Sequence, residues 1–274
     1  MTVEELIVYG KKYLHTTNVK MLLANILGYD SLELLVHLDE IVSEEQIQLF
    51  KEYIDTIKNN KPVQYLLGSV NFYGYDFYVN EDVLIPRFET EELVQNTIGF
   101  IKNKFQKENL KVIDLGSGSG VIGITLKKKI PQLDVTCLDI SEKALEVTKE
   151  NAKRLETDIR VARGDMLNNI TERYDIIISN PPYIKNDEEI EDIVTDNEPH
   201  IALYAGIDGL DYYRQILKQA KNNLNDKFLI AFEIGRTQKE EIIEIANKYL
   251  QSIKIECKKD MQDNDRMLFI TNID

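Results

Sequence analysis

Residues 112 to 128 read Val-Ile-Asp-Leu-Gly-Ser-Gly-Ser-Gly-Val-Ile-Gly-Ile-Thr-Leu-Lys-Lys. A β-branched run, Val112 to Leu115, enters a loop carrying Gly116, Gly118 and Gly120, and Val121 to Lys128 then follows as a helix. Glycines let backbone approach a ligand closely, and a helix N-terminus presents free N–H groups to it. Strand, glycine loop and helix together form a candidate nucleotide cradle. Gly118, Gly120 and Gly123 also satisfy a literal G-x-G-x-x-G, so a dinucleotide stays open at this step.

Further short runs follow at Val135 to Leu138, Ile159 to Ala162, Ile176 to Ser179 and Phe228 to Phe232, with helical stretches between them. Strands separated by helices require βαβ crossovers and a mainly parallel sheet covered on both faces. Ile253 to Cys257 and Met267 to Thr271 have little between them and are expected to form an antiparallel edge. The fold class is therefore α/β: a doubly wound, mainly parallel Rossmann-like sheet with an antiparallel edge.

Toward the N-terminus the pattern changes. From Val3 to about Asn60 apolar residues recur at helical spacing, as in Leu6, Tyr9, Tyr13 and then Met21, Leu22, Ile26, and these positions are read as core. Gly28 supplies a helix stop, and Ser43 with Gln46 makes a capping box before Phe50 and Ile54. Lys61 and Pro62 break the pattern, and Val70 to Val79, with Phe72 and Phe77 around Gly74, alternates like a short hairpin. After Pro86 a helix is expected to start near Thr90, capped by its hydroxyl, with Glu91 and Glu92 in the first turn. The expected domains are a small helical bundle over 1–60, a linker with a β-hairpin over 61–85 and an α/β domain over 86–274.

Composition narrows the partners. The 274 residues carry a formal net charge of -14, which argues against broad contact with a phosphate backbone and hence against a nucleic-acid substrate. Cys137 and Cys257 each lie in an apolar run and read as small core residues. His15, His37 and His200 are isolated from one another and from the cysteines, so no metal site is expected. Glu4 and Glu5 stand where a secretory signal carries basic residues, and no apolar run approaches about 18 to 20 residues; the expectation is a cytoplasmic protein without a membrane partner.

The second strand ends at Asp139, whose carboxylate can accept both hydroxyls of a ribose; the alternative is a cap for the helix starting at Ser141. Gly164, Asp165 and Met166 follow the third strand, where they either hold an adenine or form an ordinary turn. The fourth strand delivers Asn180-Pro181-Pro182-Tyr183 to the same edge, beside the first strand in the usual doubly wound order. Prolines stiffen this turn and lack N–H groups, which leaves carbonyls free to face a ligand. An amide or exocyclic amino group carries two N–H donors, and the Asn180 side-chain oxygen with the Pro181 carbonyl can accept both. Tyr183 can pack flat against the planar group. A carboxylate has no such donors, so this grip selects Gln over Glu, each unpaired buried partner costing about 1 to 3 kcal/mol. In isolation Asn-Pro-Pro reads as a turn ending a strand; its place one strand beyond a nucleoside pocket favours chemistry.

These residues resemble the class I methyltransferase superfamily, and more closely the HemK/PrmC family of release factor glutamine methyltransferases. Matching stretches span nearly the whole chain: Pro62-Val63-Gln64-Tyr65, Ile85-Pro86-Arg87-Phe88-Glu89-Thr90-Glu91, the glycine loop, Asn180-Pro181-Pro182-Tyr183-Ile184, Glu198-Pro199, Asp208-Gly209-Leu210 and Phe232-Glu233-Ile234-Gly235. The resemblance implies methyl transfer from S-adenosylmethionine to the side-chain amide nitrogen of the Gly-Gly-Gln glutamine in bacterial class I peptide chain release factors. It implies that Gly116, Ser117, Gly118, Ser119, Gly120, Asp139, Met166 and Asn180 hold the cofactor. By the same resemblance Asn180, Pro181, Pro182 and Tyr183 would bind the glutamine, with Asn180, Pro181 and Tyr183 catalytic, and the N-terminal helices would help dock the release factor. Met166 stands where relatives often place an aromatic, and Phe88 replaces their usual proline.

Within the superfamily, a ribosomal-protein glutamine methyltransferase and an adenine or guanine amino-group methyltransferase share the same grip. An NAD-dependent oxidoreductase would use the glycine loop and Asp139 but leave Asn180 to Tyr183 without a role. A non-catalytic binding module would show no affinity for S-adenosylmethionine.

Overall fold

The computed structural model describes residues 1–30, 32–106 and 109–273. They divide into two compact units, one of residues 1–69 with 190–197, the other of residues 70–189 with 198–274.

The first unit contains α1 (Val3–Gly10), α2 (Thr16–Leu27), α3 (Glu33–Val36), α4 (Glu44–Lys58) and α5 (Val63–Leu67). Capping boxes at Thr2–Glu5 and Ser43–Gln46 start α1 and α4, and Gly28, at φ 73°, ends α2. Leu6, Val19, Leu22, Leu23 and Phe50 are buried in one core, drawn from the helical faces their spacing indicated. Tyr13 is a correction: it is 44% exposed, its ring tilted against Tyr9 at 5.3 Å with the Lys58 ammonium 4.9 Å away. The reason is that α1 has already ended at Gly10, so helical periodicity no longer governs where Tyr13 points. Residues 190–197 join this unit through Asn197, whose side-chain amide donates to Asn60 O at 2.7 Å, and through Asn60, which donates to Asp196 at 2.8 Å.

The boundary strand β1 (Ser69–Phe72) leads into β2 (Tyr75–Tyr78) through Tyr73 and Gly74, at φ 53° and 82°, the two positive angles a type I′ hairpin turn requires. Phe72 and Phe77 meet edge to face and are buried in the second unit's core. Next come α6 (Phe88–Lys104), β3 (Lys111–Leu115), α7 (Val121–Lys129), β4 (Asp134–Asp139), α8 (Glu142–Arg154), β5 (Arg160–Arg163) and β6 (Tyr174–Ser179). The chain continues through the short α9 (Asp192–Thr195), a 3-10 turn at His200–Ala202, α10 (Asp211–Asn223), β7 (Leu224–Glu233), α11 (Lys239–Tyr249), β8 (Lys254–Lys259) and β9 (Asp265–Thr271).

Among the described residues seven strands form one sheet in the order β5-β4-β3-β6-β7-β9-β8, parallel through β7 and antiparallel at β9 and β8. Successive residues point to opposite faces, as the two-residue period of a strand demands. Val112, Ile176 and Leu229 pack on one side with α6 and α7; Ile113, Ile177 and Ile230 pack on the other with α10 and α11. The inner strands β3, β4, β6, β7 and β9 were legible because burial on both faces makes them largely apolar runs, whereas the edge strands β5 and β8 are partly exposed. Only β7 begins well before its apolar run, at Leu224 rather than Phe228.

One local reading is overturned. Helix α6 starts at Phe88 with Arg87 in the N-cap position, and no side chain caps it. Thr90 is the third residue of the helix and so lies past the cap position, and its hydroxyl donates to Glu233 Oε2 at 2.6 Å.

Close packing of α7 on the sheet rests on Gly123. A Cβ there would overlap Cys137 Sγ and meet Val135 Cγ1 at 3.2 Å. Gly123→Ala is expected to lower stability by about 1–3 kcal/mol in chemical denaturation. Adding Cys137→Ala, which removes the overlapping sulfur, is expected to return part of that loss.

Candidate active site

The strand order reverses between β3 and β6: the chain steps outward through β4 and β5 and returns to β6 on the other side of β3. Loops leaving the carboxyl ends of these strands diverge and open a crevice between them. A cleft with about 740 Å³ of empty space, open solvent at its mouth included, lies there. Gly116, Gly118, Asp139, Met166, Asn180 and Pro182 all line it. The structure thus brings together residues from four separate strand ends.

After β3 the backbone turns with Gly116, Gly118 and Gly120 at φ 67°, 54° and 81°. This left-handed path favours glycine, and it lets the N–H groups of Gly116 and Ser117 both reach Leu138 O, at 2.8 and 3.0 Å. A Cβ on Gly118 would meet nothing within 4 Å, so that residue borders open space, whereas a Cβ on Gly120 would strike Thr148 Cγ2 at 2.8 Å. Gly120 therefore permits packing against α8. Ser117, Ser119 and Gly120 are not among the residues lining the cleft; Ser119 is buried and its carbonyl accepts from Asn151.

Asp139 closes the loop from the side. Its Oδ2 accepts the Gly118 N–H at 2.8 Å and its Oδ1 the Ser141 N–H at 2.9 Å. Burial raises its pKa, and these backbone donors work against that rise. The alternative of a helix cap falls to Ser141, whose hydroxyl accepts from Ala144 N at 3.2 Å at the start of α8.

Beneath the loop, Asp114 is fully buried. Its Oδ2 accepts from Gly123 N at 3.0 Å and from Cys137 Sγ at 3.9 Å, while Oδ1 has no hydrogen-bond partner. Burial pushes its pKa up to about 7, and the nearby Asp139 charge adds to the rise.

On the opposite wall, Ser179 Oγ donates to Leu115 O at 2.6 Å and fastens the end of β6 to β3. Asn180 follows, and its Nδ2 donates to Thr90 Oγ1 at 3.1 Å. Thr90 in turn donates to Glu233, buried at the end of β7, whose pKa burial pushes up to about 7. Pro182 lines the cleft but Pro181 and Tyr183 do not. The Tyr183 ring packs against the core, its carbonyl accepts from Gln238 Nε2 at 2.9 Å, and burial pushes its phenol up to about 12.

A further wall comes from Pro199, Ile201 and Ala202. Glu198 anchors it by accepting from Ile85 N at 3.1 Å and from the Arg87 guanidinium. Val83, Leu84 and Tyr212 also line the cleft; nothing in the local sequence marks them, because their place depends on distant elements folding over the sheet. Thr90 and Glu233 were also missed as a pair, although each stands in a stretch that carried the family resemblance. Among the described residues no cluster of His, Cys, Asp and Glu has the arrangement of a metal site, and no helix is long and apolar enough to cross a membrane.

Sheet order, glycine loop and cleft define a Rossmann-like fold, and the family matches give its class, a methyltransferase. Residues 91–197 match the family described as methyltransferase small domain, and residues 13–68 match the PrmC N-terminal domain. A solved methyltransferase from Pyrococcus furiosus shares the fold, with TM-score 0.54 at 18% identity over 81% of this chain and 98% of that one. Release factor glutamine methyltransferase of Bacillus cereus is 38% identical over 91% of this chain and 90% of its own length; that of Streptococcus pneumoniae is 39% identical over 84% and 82%. The chain belongs to the release factor glutamine methyltransferase family.

Asp114 makes a pH prediction. An aspartate ordinarily titrates near 3.9 when unfolded and here titrates at about 7 when folded, so the folded state binds the extra proton between those values. The stabilising contribution is therefore present at low pH and is lost as pH rises through about 7. Asp114→Asn is expected to gain on the wild type by up to about 1.4 kcal/mol per pH unit across that window, read from denaturant midpoints at pH 5, 6, 7 and 8. A difference that stays constant with pH would contradict it.

Proposed function

We propose that the protein transfers a methyl group from S-adenosylmethionine to the side-chain amide nitrogen of the glutamine in the Gly-Gly-Gln motif of bacterial class I peptide chain release factors, in the cytoplasm. The observation that carries the reading is the Asn180 carboxamide at the cleft wall, held by its nitrogen end on Thr90, at the end of the strand beside the glycine loop. The names of relatives 35–41% identical over most of the chain support the same substrate.

The cleft fits the cofactor on its own chemistry. Gly118 faces open space, Asp139 has lone pairs beyond those used by the Gly118 and Ser141 amides, and Met166 offers an apolar surface in the cleft beside Gly116. Gly116, Gly118 and Asp139 would hold the nucleoside and amino-acid parts of S-adenosylmethionine, with Met166 against the adenine; Ser117, Ser119 and Gly120 shape the loop. When bound, S-adenosylmethionine supplies a methyl group on a sulfonium, whose S–C electron pair returns to sulfur as the methyl leaves.

Asn180 Oδ1 and the Pro181 carbonyl accept the two N–H groups of the substrate amide and so fix its plane. The nitrogen lone pair, ordinarily delocalised into the amide carbonyl, forms the new N–C bond. Positive charge grows on the two hydrogens as it does so, and the two oxygens stabilise that charge; one of the two protons is then released to solvent water, leaving the neutral methylamide. Positioning supplies up to roughly 7–11 kcal/mol in favourable cases, and preorganised acceptors add electrostatic stabilisation. Tyr183, with its ring turned to the core, serves by shaping the Pro-Pro turn, and Pro182 forms the adjoining wall. The helical unit of residues 1–69 docks the release factor.

Incubation with labelled S-adenosylmethionine and a purified release factor is expected to place the label on the wild-type factor and none on a Gly-Gly-Glu variant or on RNA. Asn180→Ala is expected to abolish turnover while retaining cofactor affinity, whereas Asp139→Ala is expected to weaken cofactor affinity about tenfold or more, measured by calorimetry. Label on RNA alone would remove the proposed substrate.

A further inference from the structure

Asn180 is useful as an acceptor only if its oxygen, and not its NH2 group, faces the substrate. A carboxamide is nearly symmetric in shape, so steric packing alone distinguishes the two ends poorly. Something chemical must set the direction. The side chain that touches its nitrogen end is Thr90, a hydroxyl that can either donate or accept.

Thr90 has one hydroxyl proton, and the structure directs it to Glu233 Oε2 at 2.6 Å, a length typical of a hydroxyl donating to a carboxylate. With its proton committed, Thr90 Oγ1 can only accept from Asn180. It does so at 3.1 Å from Nδ2, which turns Oδ1 to the other end of the group. Both relay members are buried, Thr90 at 3% and Glu233 at 1% exposure, so water does not compete for these bonds. Strand register builds the arrangement: Ser179 pairs with Phe232, so the next residues, Asn180 and Glu233, leave neighbouring parallel strands side by side. Thr90 reaches them from the first turn of α6.

We propose that Glu233 is a positioning and specificity-determining residue: through Thr90 it fixes the Asn180 carboxamide with its oxygen toward the substrate, and so sets selection of an amide over a carboxylate. This rests on the reading of Asn180 given above and adds the device that gives that residue its direction. No bond to substrate or cofactor is assigned to Thr90 or Glu233. A carboxylate suits the relay because it accepts only. A carboxamide in its place can donate to Thr90, whose proton then turns to Asn180 and reverses the group, presenting NH2 to the substrate.

Protonation of Glu233 has the same effect, since a protonated carboxyl can donate to Thr90. The groups facing Glu233 are Arg87 and Glu89 at the start of α6, Tyr183 after β6, Tyr213 of α10, which donates to its backbone carbonyl at 2.8 Å, and Arg266 of β9. Burial outweighs the two arginines and raises the Glu233 carboxyl to about 7. An acidic limb in turnover near that pH follows from the relay.

The test uses the full-length protein with Gly-Gly-Gln and Gly-Gly-Glu peptides in the presence of S-adenosylhomocysteine, together with kcat on the release factor. Wild type is expected to bind the Gln peptide more tightly. Thr90→Val and Glu233→Gln are each expected to reduce that ratio and kcat about tenfold or more, with S-adenosylhomocysteine affinity unchanged. Thr90→Ser, which keeps the hydroxyl, is expected to restore both, and Glu233→Gln is expected to lose the acidic limb. Wild-type discrimination retained in folded Thr90→Val, or a Ser variant as impaired as Val, would overturn the relay while leaving Asn180 in place. A wild type that does not discriminate would overturn the reading of Asn180 and the relay with it.

Discussion

Parallel pairing of β3 with both β4 and β6 is the constraint on which the site depends. A parallel pair puts both carboxyl ends at the same edge, so the loops after β3, β4 and β6 must start within a few residues of one another. The glycine loop, Asp139 and Asn180 meet for this reason. Two hydrogen bonds set the edge in fine register: Gly116 N to Leu138 O between β3 and β4, and Ser179 Oγ to Leu115 O between β6 and β3. A shift at either place would move an entire wall of the cleft.

Two acids are fully buried near this edge, Asp114 under the glycine loop and Glu233 beside Asn180. Burying a carboxylate is unfavourable unless it is hydrogen-bonded, and each here has only a small set of donors. Both pKa values rise to about 7 in consequence. Their work is orientation: Asp114 holds the first turn of α7 through Gly123 N, and Glu233 holds Thr90 and through it Asn180. An apolar residue of similar size would pack in either place but would give no direction to the group above it.

Most of the sheet was readable in the sequence because strands buried on both faces are apolar runs, and the ends of α2 and α4 were readable because Gly28, Ser43 and Gln46 carry their capping chemistry locally. The placement of Gly116, Gly118, Asp139 and Asn180 at the cleft was readable for a different reason: each sits at a strand end, and the order of strands and helices predicts where strand ends go. Contacts made across long separations were not readable. Thr90 and Glu233 are 143 positions apart and Arg87 and Glu198 are 111 apart, so neither pair leaves a local signal, and the local sequence around Thr90 reads as a helix cap instead. Tyr13 shows the opposite failure, in which periodicity was carried past the point where the helix ends. Which residues of a loop face the cleft also escaped, because the burial of Ser119 and the packing of Tyr183 on the core depend on distant elements that residue type alone does not specify.

Placing an amide between two oxygens is the central claim, and a crystal structure with S-adenosylhomocysteine and a Gly-Gly-Gln peptide measures it most directly. The glutamine side-chain nitrogen is expected about 2.7–3.2 Å from both Asn180 Oδ1 and the Pro181 carbonyl. A glutamine amide bound in the cleft with its nitrogen turned away from both oxygens would contradict the account.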